Sequence, residues 1–393
     1  MGANLSGSDQ TTLDPVDLAR RLIRCPSVTP KEAGALDLLD AELGALGFKV
    51  WRKTFSEEGT EDVENLYARL GEASPNLCFA GHTDVVPVGD ERAWSVDPFE
   101  GALKDGVLIG RGAVDMKGAI AAFVGATAEI LSRHDGRPPA GSISLLITGD
   151  EEGPSINGTR KMLAWLAERG ETLDACIVGE PTSGEALGDT VKIGRRGSLS
   201  ATLTVYGTQG HSAYPQYADN PIHRMVRMLD AVTAEAMDEG SEHFEATTLQ
   251  VTTIDVGNPA GNVIPAKATA ALNVRFNDLH SGEEVERWVR ERLDREGAAY
   301  DLQVRVSGES FLSPPGPLSD ALSAAVRECA NLTPELGTGG GTSDARFIKD
   351  YCPVAELGLK NGTAHKVDEQ AARSDIETLT AIYAKAIERF LQS

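Results

Sequence analysis

Residues 77–84 read LCFAGHTD, a short apolar run that ends in a histidine, a threonine and an aspartate. The runs ISLLITGDEE at 143–152 and ACIVGE at 175–180 have the same form, since each apolar stretch is followed by a glycine and then by acidic residues. Short apolar runs with polar ends are typical of buried strands. Amphipathic segments after Met116 and after Ser155 separate these runs, and the alternation predicts an α/β fold with a mostly parallel sheet.

A second pattern follows this α/β segment. Residues 192–206 alternate polar and apolar side chains, and further segments of strand character cover 247–256, 267–276 and 300–306. Helices are predicted from about Pro221 and after Ser281, because residues 281–284 have the form of a capping box. An antiparallel sheet with two helices is therefore expected, as an α+β domain inserted into the α/β domain.

The predicted boundaries follow from these changes of pattern. Residues 1–12 are polar and rich in glycine and serine, which predicts a flexible tail. The α/β domain is expected at 13–195 and again at 310–393, where a helix, a strand and a last helix return. The inserted α+β domain is expected at 196–309.

Composition and charge limit the partners of this 393-residue chain. Asp and Glu number 59 against 37 Lys and Arg, a net charge of −22, so neither a nucleic acid nor a membrane is an expected partner. No apolar run is long enough to span a bilayer, and the start of the chain lacks the pattern of a secretory signal. The five cysteines lie far apart, which favours reduced thiols. We therefore expect a cytoplasmic protein.

Histidine and acidic side chains follow the predicted strands where each strand ends. In open α/β sheets the carboxyl ends of the strands bind ligands. Two histidines and several carboxylates at one edge suit zinc, or two zinc ions that share a carboxylate. Each acidic cluster taken alone is equally typical of a solvated helix start, and spacing does not choose between Glu151 and Glu152. The residues in question are His82, Asp84, Asp115, Asp150, Glu151, Glu152 and Glu180, with His365 in a later polar loop.

Four of these blocks resemble the signature blocks of the M20 di-zinc peptidase and deacylase family. They read GHTDVVP at 81–87, GRGAVDMKG at 110–118, GDEEG at 149–153 and GEPT at 179–182. The resemblance spans nearly the whole chain after the tail, and it implies two zinc ions per subunit, with Co²⁺ or Mn²⁺ as alternatives at the second site. The implied roles are Asp115 as bridging ligand, His82 and Glu180 on one zinc, Glu152 and His365 on the other, Glu151 as general acid and base, and Asp84 as the carboxylate that orients His82.

Further blocks resemble the branch of that family that hydrolyses N-succinyl-L,L-2,6-diaminopimelate, a precursor of lysine and peptidoglycan. They cover 194–199, 209–215, 262–265 and 340–347. The resemblance implies a small anionic amide substrate and a homodimer in which His211 reaches the other subunit from an inserted dimerisation and lid domain. It also implies a set of substrate-binding residues, namely Arg195, Tyr214, Asn262, Arg275 and Thr342.

Three alternatives stay open at this point. Neighbouring residues on a strand face opposite sides, so only one of Arg195 and Arg196 is expected to contact substrate. The second alternative concerns the function, which would be that of another deacylase of the family acting on acetylornithine or on acylated amino acids. The third alternative is a catalytically silent metal- or ligand-binding protein. An acid beside the ligands favours a catalyst, because a purely structural zinc site has no use for one.

Overall fold

The computed structural model describes residues 13–392. The predicted flexible tail at 1–12 lies outside the described residues. Within them, no helix has both the length and the apolar character that crossing a membrane requires. The described chain forms two compact units. One holds the chain up to Ile193, residues 313–336 and the chain from Ser343 onward, and the other holds 194–312 together with 337–342.

Helices and strands alternate along the first unit, whereas strands predominate in the second. The α-helices are α1 (Pro15–Ile23), α2 (Ala35–Ala45), α3 (Lys117–Arg133), α4 (Thr159–Glu168), α5 (Pro221–Thr233), α6 (Gly282–Asp294), α7 (Pro317–Ala330), α8 (Ala345–Ile348) and α9 (Arg373–Leu391). The strands are β1 (Lys49–Phe55), β2 (Val63–Leu70), β3 (Asn76–His82), β4 (Ala102–Lys104), β5 (Val107–Ile109), β6 (Ser142–Thr148), β7 (Ala175–Val178), β8 (Thr190–Lys192), β9 (Gly194–Arg195), β10 (Gly197–Tyr206), β11 (Gly210–His211), β12 (Thr248–Asp255), β13 (Val263–Ile264), β14 (Lys267–Phe276), β15 (Tyr300–Gly308), β16 (Phe311–Leu312), β17 (Glu335–Gly337), β18 (Val354–Glu356) and β19 (Gln370–Ala372).

The main sheet of the first unit has the strand order β1-β2-β6-β3-β7-β18-β8-β17. Its centre is parallel, because β3 pairs in parallel with both β6 and β7, and β18 pairs in parallel with β7. Strands β1 and β2 are antiparallel, as is the pairing of β8 with β18. The predicted α/β class is confirmed, and the sheet is mixed. Strands β3, β6 and β7 are buried along their whole length, so both faces of the sheet centre are covered.

The second unit contains a four-stranded antiparallel sheet with the order β12-β14-β10-β15. Side chains of β10 and β14 alternate between buried and more exposed, the period of two that a sheet with one covered face requires. Helices α5 and α6 cover the apolar face, where Met228 and Val289 join the buried cluster of the strands. Helix α6 begins at the predicted capping box of Ser281 and Glu284. The inserted antiparallel sheet with two helices is thus confirmed.

Candidate metal centre

The acidic and histidine residues of the first unit meet at the carboxyl ends of the parallel strands. His82 is the last residue of β3, Glu180 follows β7 by two residues, and the segment 150–152 directly follows Gly149 at the end of β6. Since β6, β3 and β7 are neighbours and parallel, these ends lie side by side. The predicted convergence at this edge of the sheet is what the structure shows.

Two groups of three side chains lie close enough to hold a metal ion each, and they share Asp115. In the first group, Nε2 of His82 lies 3.2 Å from Asp115 Oδ1 and 3.7 Å from Glu180 Oε1. In the second group, Nε2 of His365 lies 3.2 Å from Asp115 Oδ2 and 2.8 Å from Glu152 Oε1. The two oxygens of one carboxylate therefore face two different histidines.

The loops that carry these groups depend on close backbone packing. Asp115 lies two residues before α3, and Glu180 lies where the chain leaves β7. A side chain at Gly358 would place its Cβ 2.3 Å from the carbonyl oxygen of Glu180, so only glycine lets the segment after β18 run beside it. The ligand set thus rests on backbone contacts in addition to side-chain ones.

The donor set fits a cation. Nε2 of His82 and Oδ1 of Asp115 are buried, and neither makes a hydrogen bond to any residue that the structure describes. A buried polar atom without a partner is costly, and a divalent ion coordinated by both would remove that cost. Imidazole and carboxylate ligands in this number are those that zinc and related divalent ions accept. The residues present therefore fit a pair of metal ions.

The electrostatics agree with this fit. Burial disfavours a charged ring at His82, yet Asp115, Glu180 and Asp84 raise its pKa well above the usual value. Asp115 and Glu152 raise the pKa of His365 to about 10. Although burial opposes ionisation of Asp115, the two histidines hold the pKa of its carboxyl below the usual range. The carboxylates thus create a negative field around the two rings, which favours a cation there, and a ring that binds a metal ion does so in its neutral form.

Glu151 lies beside the ligands but in neither ligand group. Its pKa is raised well above the ordinary value, first by burial and then by the negative charges of Glu180, Asp344 and Glu152, while His82 acts in the opposite direction. A raised pKa suits a carboxylate that accepts a proton and later returns it. Glu152 therefore belongs to a ligand group and the adjacent Glu151 does not, a distinction that the sequence spacing alone did not make.

Asp84 positions three of its neighbours. Its carboxylate accepts hydrogen bonds from the backbone N–H groups of Glu151 (3.3 Å) and Glu152 (3.0 Å). Nδ1 of His82 lies 2.9 Å from the backbone carbonyl oxygen of Asp84 and 3.6 Å from its carboxylate. The ring N–H is thus oriented by the carbonyl group, whereas the family resemblance implied the carboxylate. Burial raises the pKa of Asp84 to about 6.

His211, Tyr214 and Asn262 form one cluster in the second unit. The rings of His211 and Tyr214 lie edge to face with their centres 5.5 Å apart. The N–H of Tyr214 donates to the carbonyl oxygen of His211, and the N–H of Ser212 donates to that of Asn262, each at 2.9 Å. His211 and Tyr214 are exposed. The predicted residues from two separate motifs are therefore neighbours here.

The predicted arginines of the second unit lie in two places. Arg195 is 5 % exposed, and its Nη1 donates to the carbonyl oxygen of Gly341 at 2.6 Å, next to Thr342. Arg196 lies near Arg275, whose pKa is lowered by burial and by the positive charge of Arg196. Two adjacent guanidinium groups attract an anion. Arg195 thus donates to a backbone carbonyl group, whereas Arg196 lies near Arg275 and has its Nη1 3.6 Å from Glu245 Oε2.

Two buried residues near the ligands, Arg111 and Glu369, were not predicted from the sequence. They form an ion pair of 2.8 Å and are 2 % and 0 % exposed. Arg111 stands in the block at 110–118, which was the available signal. Glu369 had none, because a single glutamate four residues after a histidine has no recognisable pattern.

Comparison with known proteins places this geometry in a family. The model of peptidase family M20/M25/M40 matches residues 78–389. Proteins named succinyl-diaminopimelate desuccinylase from Rhodospirillum centenum and Parvibaculum lavamentivorans are 59 % and 57 % identical to this chain, each over 96 % of it and over 97 % and 96 % of their own lengths.

Solved structures show the same fold at low identity. The aminopeptidase PepT of Bacillus cereus superposes with a TM-score of 0.78 at 19 % identity, over 96 % of this chain and 98 % of that one. A dinuclear metal-binding peptidase of the M20 family from Bacillus subtilis gives a TM-score of 0.68 at 14 % identity, over the same shares. By the match over most of its length and by its near relatives, the chain belongs to peptidase family M20/M25/M40.

Proposed function

We propose that this protein is a di-zinc amidohydrolase that cleaves N-succinyl-L,L-2,6-diaminopimelate to succinate and L,L-2,6-diaminopimelate. The observation that carries the proposal is that relatives of this name are 53–59 % identical over almost the entire chain. Two ligand groups that share Asp115 support the metal pair. Their nitrogen and oxygen donors suit zinc, and also Co²⁺ or Mn²⁺ at the second site. The proposed compartment is the cytoplasm, where widely separated cysteines stay reduced.

The chemistry that a metal pair supplies when bound is acidification of a water and polarisation of the amide carbonyl. Glu151 takes a proton from the water as the water oxygen attacks the carbonyl carbon. The same carboxyl then gives that proton to the nitrogen as the C–N bond breaks, which releases succinate and an amine. Asp84 holds the backbone N–H groups of Glu151 and Glu152, so the proton acceptor and a ligand keep a fixed relation.

Substrate recognition is assigned to the second unit. The substrate carries several carboxylates, and guanidinium groups bind carboxylates through paired hydrogen bonds. The arginines near Gly341 and Thr342 and near Arg275 supply such groups in a chain whose net charge is −22. The proposed substrate-binding residues are Arg195, Tyr214, Asn262, Arg275 and Thr342.

The decisive experiment is hydrolysis by the zinc-loaded full chain, with N-succinyl-L,L-diaminopimelate and N-acetylornithine compared under identical conditions. We expect release of succinate that a chelator abolishes and added zinc restores, with little turnover of the acetyl compound. Preference for N-acetylornithine would keep the hydrolytic centre but contradict the substrate. Absence of turnover with either compound would leave a silent metal-binding protein.

We also propose a homodimer in which His211 of the partner subunit stabilises the oxyanion formed from the amide carbonyl. Mixing two inactive variants, Glu151→Gln and His211→Ala, tests this arrangement. Random exchange of subunits should restore roughly a quarter of the parental activity, because half of the dimers are mixed and each mixed dimer holds one intact site. If the mixture stays inactive although subunits exchange, His211 acts within its own subunit, and if His211→Ala is active by itself, His211 has no such role.

A further inference from the structure

The buried pair of Arg111 and Glu369 connects the two loops that carry Asp115 and His365. Glu369 Oε1 accepts hydrogen bonds from the backbone N–H groups of Val114 (3.0 Å) and Asp115 (3.1 Å). Its Oε2 accepts from the N–H of Gly112 at 3.1 Å and from Nη1 of Arg111 at 2.8 Å. One carboxylate thus receives four donors, all from the loop that ends at Asp115, and three of them are backbone N–H groups.

Arg111 holds the opposite loop by its carbonyl groups. Its Nη1 donates to the carbonyl oxygen of Lys366 at 3.1 Å, and its Nη2 lies 3.4 Å from those of His365 and Pro87. Pro87 belongs to the segment that follows His82 and Asp84. The guanidinium of Arg111 therefore contacts backbone oxygens of both segments that carry a histidine ligand.

The His365 loop needs such a connection more than the His82 segment does. The backbone of His365 has φ +62°, in the left-handed region that residues other than glycine rarely adopt. Half of the His365 side chain is exposed, against 2 % for His82. Packing therefore restrains the His365 ring less, and its position depends on the backbone that Arg111 holds.

A purely structural role is the competing explanation. Buried ion pairs often add little to stability, because desolvation offsets the attraction between the charges. The pair of Arg111 and Glu369 differs from a simple stabilising contact, because all of its other side-chain hydrogen bonds go to the loops that carry the metal ligands. The placement favours a role in the geometry of the ligands.

We propose that Arg111 and Glu369 are positioning residues. They hold Asp115 and His365 at the spacing that these two residues need to bind one metal ion together with Glu152. The proposal rests on the proposed metal centre. It assigns the pair to one half of that centre, because His365 contributes only there, whereas His82 ends β3 and Glu180 follows β7 by two residues. Loss of the pair should therefore weaken one metal site more than the other.

The test uses the full chain with Glu369→Gln, and with Arg111→Lys as a second variant that keeps the charge but loses the planar fork. Glu171→Gln is the matched control. Glu171 is also a glutamate paired with a partly buried arginine, Arg69, but it contacts Asn76 at the opposite end of β3, about 20 Å from His82. The measurement is zinc bound per chain at graded free zinc, with the melting temperature of the metal-free chain measured in parallel.

The parent and Glu171→Gln should bind two zinc ions in the same concentration range. For both variants of the pair we expect one zinc of parental affinity and one weakened by roughly 10- to 100-fold, the usual effect of removing a residue that supports a ligand. The kcat should fall and then recover at high zinc. If both variants bind two ions as the parent does, or lose both equally with a lowered metal-free melting temperature, the pair is structural and the proposal is wrong. Failure of the parent itself to bind two ions would contradict the proposed function instead.

Discussion

The two histidines that face Asp115 are held in different ways. His82 ends a fully buried strand, its Nδ1 is fixed by the Asp84 carbonyl, and its side chain is 2 % exposed. His365 stands in a loop, with a left-handed backbone and a side chain that is 50 % exposed. One half of the centre is therefore built by the sheet and the other by loops. The sheet-borne half should persist when the loop-borne half is disturbed.

The largest effect is expected at Glu151, which borders both halves. Glu151→Gln removes the proton acceptor and leaves all five ligands in place, so kcat should fall by about 10²–10⁴-fold. Bound zinc should stay at the parental stoichiometry. Steady-state kinetics with metal analysis on the same sample check this. A variant that loses a metal together with its activity would show that Glu151 is a ligand.

Removing each histidine tests the comparison directly. His82→Ala leaves a cavity in the buried strand end and should lower the free energy of unfolding of the metal-free chain by about 2 kcal/mol. His365→Ala removes a half-exposed ring, so its effect should stay within about 0.5 kcal/mol.

Denaturant unfolding of both metal-free variants gives these values. Zinc titration should then show that His365→Ala retains one ion. Equal destabilisation by the two substitutions would remove the distinction between a sheet-borne and a loop-borne half.

The sheet-borne half was the part that the sequence could predict. Apolar runs before His82 and before Glu180 predict strands. Neighbouring parallel strands have their carboxyl ends at the same edge of a sheet, so the meeting of these residues can be predicted without knowing any side-chain contact. The edge strand β1 was not predicted, because residues 49–55 mix charged and apolar side chains and are only half-buried, and its neighbour β2 was not predicted either. The pairing of Arg111 with Glu369 spans 258 positions and depends on the folded loops. The choice of a carbonyl over a carboxylate at Asp84 likewise depends on the local backbone geometry of the folded chain.

Asp84→Asn probes the connection between the halves. The substitution keeps the backbone carbonyl that orients His82 but weakens the acceptors for the N–H groups of Glu151 and Glu152. We expect kcat to fall by roughly 10- to 100-fold, as for other residues that support ligands. The affinity for the ion at His82 and Glu180 should change little. Loss of that ion first would indicate that the carboxylate of Asp84, and not its carbonyl, maintains His82.

The smallest effect is expected in the second unit, where Arg275→Lys leaves a positive charge beside Arg196 but loses the planar fork. Loss of one charge-assisted hydrogen bond is worth about 1.5 kcal/mol, which raises KM for the succinyl substrate roughly tenfold. Bound zinc and kcat should remain near the parental values, because Arg275 belongs to the second unit and is not among the metal ligands of the first. Arg305→Lys is the matched control on strand β15, which β10 separates from the strand of Arg275, and it should leave KM unchanged. If Arg275→Lys instead lowers kcat with KM unaltered, the guanidinium acts on the reacting amide and not on a distal carboxylate.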